Sequence, residues 1–219
     1  MTQKIFVLNP NSSQVVTDGI NTAMAPLRIP GGPEIHCMTL AEGPPGIQSQ
    51  RDIDQLVSPL CQQAQSLEAE ASAFVVACFS DPGLYSLREI TRVPVLGIAE
   101  TGVLTALSLG HRFGVISILP ASIPRHLRYF AAMGVSDRLA ADLSIGMGVQ
   151  ELVDQAKTME RLVVVGRQLR DHHRADTVVL GCAGMAGMRE ELQSHLGIPV
   201  VEPTQATVAV ALGRTLLGW

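Results

Sequence analysis

The sequence predicts an α/β protein of two related lobes, each a mainly parallel sheet flanked by helices, with a cleft between them. Three observations predict it. Short β-rich runs alternate with helix-length amphipathic segments, the second half of the chain repeats the order of the first, and two cysteines, Cys78 and Cys182, close matched apolar runs, one in each half.

Taken in order, Lys4–Leu8 is a short apolar run that reads as the first strand, and Gln14–Leu27 is an amphipathic helix. Glu34–Leu40 reads as the second strand and Arg51–Glu70 as the next helix. Ala73–Cys78 is the third strand, Leu84–Ile90 a short helix, Pro94–Ile98 the fourth strand and Ala99–Leu109 the helix after it. The second half gives strands over Arg112–Ile118, Leu139–Ile145, Thr177–Gly181 and Pro199–Val201, with helices over Ser122–Met133, Gln150–Arg174 and Thr204–Leu217. Strands separated by helices form parallel sheets covered on both faces, and such sheets place their sites in loops at the carboxyl ends of strands.

The repeat is visible residue by residue. Phe74-Val75-Val76-Ala77-Cys78 matches Val178-Val179-Leu180-Gly181-Cys182, and each run is followed by a Pro-led strand, at Pro94 and at Pro199. Phe6-Val7-Leu8-Asn9 likewise parallels Gly114-Val115-Ile116-Ser117. A pseudo-twofold axis between the halves makes the two cysteine-bearing strand ends face each other across one cleft. No low-complexity linker separates the halves, so the lobes should pack closely.

Composition narrows the function classes. With 219 residues, 47% of them hydrophobic, the chain can build a substantial core in one domain or two small lobes. A net charge of −4 gives no reason to expect nucleic acid or an anionic membrane, and scarce aromatics argue against base stacking. The N-terminus has no long apolar stretch and no later run is long enough to span a bilayer, so a cytoplasmic location is expected. The four cysteines lack CxxC spacing, which argues against zinc and against a thiol redox protein.

Cys78 ends an apolar strand and precedes Phe79-Ser80-Asp81-Pro82-Gly83; Cys182 precedes Ala183-Gly184-Met185-Ala186-Gly187. Both thiols should sit beside free backbone N–H groups at the start of a helical segment, which favour a thiolate. Two chemically alike groups on opposite faces of a substrate suit removal and return of a proton at a carbon acid, one as thiolate and one as thiol. The carbanion needs support at its neighbouring carbonyl oxygen, which loop N–H groups and hydroxyls supply. Asn9-Pro10-Asn11-Ser12-Ser13 is the expected polar floor, with Asn9, Asn11 and Ser12 as substrate-binding candidates and Ser12 or Ser13 also capping the helix. Phe79, Ser80, Ala183 and Gly184 join them from the cysteine loops, and Ser117 from the matched strand end of the second half.

Other residues have plainer expectations. Asp81 and Glu202 lie near strand ends where they could tune a thiol, though Asp81 fits better as a cap of the helix that follows it. Cys37 and Cys61 should be buried in apolar segments, and His172 and His173 solvent-exposed. The apolar loop Glu42–Ile47 is either a pocket wall or a surface crossing.

These motifs together resemble the Asp/Glu/hydantoin racemase family, with the nearest branch among hydantoin and allantoin racemases. The resemblance covers essentially the whole chain. It implies two Rossmann-like lobes, a two-cysteine mechanism using Cys78 and Cys182, and no cofactor and no metal. It also implies that the last helix returns to the first lobe, giving residues 1–98 and 205–219 to the first lobe and 99–204 to the second. Glutamate and aspartate racemases resemble one another in an Asn-Thr pair after the first cysteine and Thr-His after the second; Phe79-Ser80 and Ala183-Gly184 stand there instead. An apolar ring and a bare backbone suit a neutral, flatter ligand. The expected activity is therefore racemisation of a 5-substituted hydantoin, with allantoin among the candidates. An Asp/Glu-type amino-acid racemase, or another carbon-acid enzyme such as a maleate isomerase, is the second reading, and a small-molecule binding protein the non-enzymatic one. The expected partners are a small-molecule substrate and further copies of the chain as a homo-oligomer, with neither nucleic acid nor membrane.

Overall fold

The computed structural model describes residues 3–219. The first half contains β1 (Lys4–Asn9), α1 (Gln14–Ala23), β2 (Glu34–Thr39), α2 (Gln50–Gln55), α3 (Val57–Leu67), β3 (Ala71–Val76), α4 (Leu84–Ile90), β4 (Val95–Gly97) and α5 (Ile98–Leu109). The second contains β5 (Phe113–Ser117), α6 (Ile123–Ala132), β6 (Leu139–Ser144), α7 (Gln155–Asp171), β7 (Thr177–Leu180), α8 (Arg189–Leu196), β8 (Val200–Val201) and α9 (Pro203–Leu217). Each half forms one four-stranded sheet with all pairings parallel, in the orders β2-β1-β3-β4 and β6-β5-β7-β8. The identical order, displaced by four strands, is the repeat seen in the sequence.

The strands are continuous apolar runs because both faces of each sheet are covered. Along β1, Ile5 and Val7 join a core shared by the two halves, while Phe6 and Leu8 point to a second core under α2, α3 and α4. The shared core continues through Val103 and Ala106 of α5, Val208 and Ala211 of α9, and Phe113, Val115 and Val179 of the second sheet. Helix α5 packs on β7 and β8, and α9 packs on β3 and β1, so each lies against the sheet that does not immediately precede it. The two helices approach closely: a Cβ on Gly102 would lie 2.7 Å from Cβ of Pro203.

Three expected helices are shorter than the periodicity suggested, each for a local reason. The helix expected over Arg51–Glu70 is divided at Leu56. Pro59 has no N–H to offer Gln55 and its ring crowds that carbonyl, so the chain starts a new helix. Pro26 likewise closes α1 at Ala23 and leaves a 3₁₀ turn over Ala25–Leu27. In the stretch 150–174, α7 starts only at Gln155, because the Asp154 side chain accepts from the Lys157 N–H at 3.1 Å and caps it there. Cys37 and Cys61 are half-buried rather than sealed, His172 is exposed and His173 half-buried. Among the described residues no helix is long and apolar enough to cross a membrane.

Candidate active site

The carboxyl ends of β3 and β7 face one cleft, and Cys78 and Cys182 both line it. The cleft is narrow, a cavity of about 40 Å³ that opens to solvent. Both thiols are free and half-buried.

At the end of β3 the chain turns sharply around Cys78. The N–H groups of Ser80 and Asp81 donate to the Cys78 carbonyl at 2.8 and 2.9 Å, and Asp81 and Gly83 take the left-handed backbone region at φ +44° and +69°. A non-glycine residue at positive φ costs energy and persists where its surroundings hold it. What holds Asp81 is its own carboxylate, which accepts from the Ala99 N–H at 2.9 Å, the Glu100 N–H at 2.8 Å and the Tyr129 hydroxyl at 2.7 Å. Asp81 therefore caps α5, and not α4, the helix after it in sequence: the loop folds its carboxylate over the amino end of a helix 18 residues away. Glu202 does the matching work in the second half, accepting from the Thr204 and Gln205 N–H groups at 2.9 and 2.6 Å to cap α9. Burial holds both acids above their usual range, Asp81 at about 6 and Glu202 at about 7.

The Gly184 N–H donates to Cys182 Sγ at 3.4 Å. The Ser80 N–H donates to the Cys78 carbonyl instead, though its position still favours a thiolate at Cys78. Desolvation outweighs this support. It pushes Cys182 up to about 11, with the Glu202 carboxylate adding to it, and it raises Cys78, where Cys182 and Asp81 add repulsion and the Arg125 guanidinium partly offsets them. Because negative charge on Cys182 raises Cys78, the two do not ionise together: when one is a thiolate the other stays a thiol.

The polar floor differs in detail from expectation. Asn11 lines the cleft, but Asn9 is fully buried behind it. Its Nδ2 donates to Asn11 Oδ1 at 3.1 Å and to Thr17 Oγ1 at 3.0 Å, so Asn9 shapes the loop that presents Asn11. Ser12 is half-buried and donates its N–H to the Pro44 carbonyl at 3.0 Å, while the neighbouring Ser13 caps α1. The loop 42–47 packs on this turn, with no room for a Cβ at Gly43, 2.2 Å from the Pro10 carbonyl oxygen, and Ile47 reaches the cleft. Phe79, Ser80, Ala183 and Gly184 all line it. Ser117 does not match its expected role: it is fully buried, and its hydroxyl donates to Asp142 beneath the cleft. A hydroxyl ending β5 finds a buried carboxylate on the adjacent strand β6, and that bond turns it inward.

Three polar lining residues were not foreseen: Ser122, Arg125 and His126 at the start of α6. Arg125 Nη1 is held by the carbonyls of Ala121 and Gln48 at 2.7 and 3.0 Å, which fixes a cation beside Cys78. The signal that could have found them is the repeat. The residues after Ser117 occupy the position that Asn11–Ser13 occupies after Asn9, at the carboxyl end of the matching strand. No carboxylate lines the cleft among the described residues, and Arg125 is its one guanidinium.

Comparison with known proteins adds the following. The Asp/Glu/Hydantoin racemase family profile matches residues 5–211. The hydantoin racemase of Paenarthrobacter aurescens is 32% identical over 220 residues, covering 99% of this chain and 92% of that protein. Among solved structures, allantoin racemase from Klebsiella pneumoniae superposes with a TM-score of 0.91 at 30% identity, covering 99% of this chain and 89% of that one. Allantoin racemase from Pseudomonas fluorescens superposes with a TM-score of 0.94 at 28% identity, covering 99% and 92% of the two chains.

Proposed function

The chain belongs to the Asp/Glu/hydantoin racemase family, and on that premise we infer that it racemises a 5-substituted hydantoin, allantoin being one candidate, by passing a proton between Cys78 and Cys182. The observation that carries this reading is the pair of free thiols on matched strand ends lining one narrow cleft. One thiolate removes the proton at C5, leaving an enolate conjugated with the adjacent carbonyl. The opposite thiol returns a proton to the other face, and the thiol and thiolate exchange roles with no net consumption. Asn11, the loop amides and the Arg125 cation are the groups at hand to hold the enolate. The lining supports a ring substrate over an amino acid. A zwitterion's ammonium would meet no carboxylate in this cleft, and leaving a charge unpaired there is costly.

Polarimetry on allantoin, 5-alkyl and 5-benzyl hydantoins, aspartate and glutamate tests the substrate class. Measurable racemisation of at least one hydantoin and little on the free amino acids is expected. Robust turnover of glutamate with none on any hydantoin would reverse the choice.

The thiol environments also fix a direction for pH. With desolvation holding both thiols up and Cys182 at about 11, the thiolate fraction grows as protons are removed. The value of kcat/KM should climb through pH 7–9 by about one log unit per pH unit. A profile flat over that range would mean that the reacting base is already ionised at neutral pH and that burial does not hold the reacting thiol up.

A further inference from the structure

Resting on the hydantoin reading, we propose that His126 is a specificity-determining residue whose Nε2 accepts a hydrogen bond from a ring N–H of the substrate. His126 is 4% exposed, and its Nδ1 lies 2.8 Å from Oδ2 of Asp142, whose side chain is fully buried. A carboxylate only accepts, so Nδ1 carries the hydrogen, and in that tautomer the ring's lone pair lies at Nε2. Ser117 donates to the other oxygen of Asp142 and lies 3.1 Å from Nδ1, which completes the support behind the ring. Phe79 stands edge-on to the imidazole at a centroid distance of 5.2 Å, and Phe130 packs on it at 6.1 Å, so the ring has little freedom to turn. Among the described residues Nε2 has no hydrogen-bond partner, and His126 lines the cleft shared by the two thiols. A buried imidazole held by a carboxylate needs only one face for structure. Its other nitrogen is left for a ligand.

The complementary chemistry belongs to the cyclic ureide. A hydantoin carries N–H donors at N1 and N3, and the cleft offers few free acceptors for them. Arg125 only donates, and Asn11 Oδ1 already accepts from Asn9 Nδ2 and from the Ser13 N–H. Methylating the nitrogen that His126 reads deletes the donor and leaves the carbon acid unchanged.

The test crosses substrate and protein changes. His126→Asn keeps a donor near the Nδ1 position for Asp142 and removes Nε2. With 5-benzylhydantoin, KM should rise about tenfold with kcat changed far less, the pattern of a lost binding contact. Wild-type enzyme should discriminate about tenfold or more against either the N1-methyl or the N3-methyl analogue, and His126→Asn should lose that discrimination. Equal discrimination in both proteins would overturn the assignment while leaving the hydantoin activity standing. Absence of hydantoin turnover by the wild type would remove the functional reading itself, and this assignment with it. Should His126→Asn fail to fold, ¹⁵N-histidine spectra of a Cys78→Ser/Cys182→Ser protein decide the matter. Binding of 5-benzylhydantoin should shift the Nε2 resonance of His126, and saturation without a shift would refute the contact.

Discussion

Cys78→Ser and Cys182→Ser are each expected to lower racemisation by about 10³-fold or more, because in the proposed two-base mechanism each thiol serves one face of the reacting carbon and a hydroxyl cannot replace a thiolate there. Both side chains line the same cleft, and among the described residues no third cysteine lines it. A half-reaction should survive. In D₂O the Cys78→Ser enzyme should exchange the C5 hydrogen of one enantiomer, and the Cys182→Ser enzyme that of the other. The structure adds a consequence for titration. Removing Cys182 also removes its repulsion on Cys78, so thiolate formation at Cys78 should move to lower pH in Cys182→Ser, visible as the ultraviolet absorbance of the thiolate. Near-normal racemisation in either single variant would refute the two-base mechanism, since one thiol would then be dispensable.

Gly97→Ala should be strongly destabilising. A Cβ there would lie 2.2 Å from Cγ of Asp81 and 2.3 and 2.6 Å from its two oxygens. The carboxylate cannot step aside cheaply, because Ala99, Glu100 and Tyr129 all donate to it. The loss of part of that network together with overpacking should cost about 2–4 kcal/mol. In a chain of 219 residues this lowers Tm by roughly 5–15 °C. Activity should fall as well, since Asp81 fixes the turn whose amides fold around Cys78. Gly213→Ala is the matched control: nothing lies within 4 Å of the added methyl in the interior of α9, so the change should be neutral or stabilising by up to about 1 kcal/mol. Thermal melts of the two variants check the contrast. Equal melting temperatures would show that Asp81 moves freely and does not hold the loop.

Asp81 also shows where sequence reasoning stops. Its position beside a cysteine and ahead of a helix was legible, and so was its capping chemistry. Its actual partners, Ala99 and Glu100, arrive from another segment that the local pattern does not link to it. Pro59 and Pro26 are different, since the information that they break helices was present in the sequence and periodicity alone outweighed it. Arg125 and His126 were reachable through the repeat, had the residues after Ser117 been matched to those after Asn9.

By itself the sequence determined the eight strands, the division into two related halves and the placement of Cys78 and Cys182 at matching strand ends. These follow from short-range periodicity, because the alternation of apolar runs with amphipathic segments dictates which surfaces must be buried. Only the tertiary structure decided which polar side chains face the cleft. Asn9 and Ser117 turn inward to buried partners, Asp81 and Glu202 are taken up as helix caps, and Asn11, Arg125 and His126 remain at the opening. The physical reason is that a buried polar group must find a hydrogen-bond partner, and the nearest one is set by whichever distant segment packs beside it.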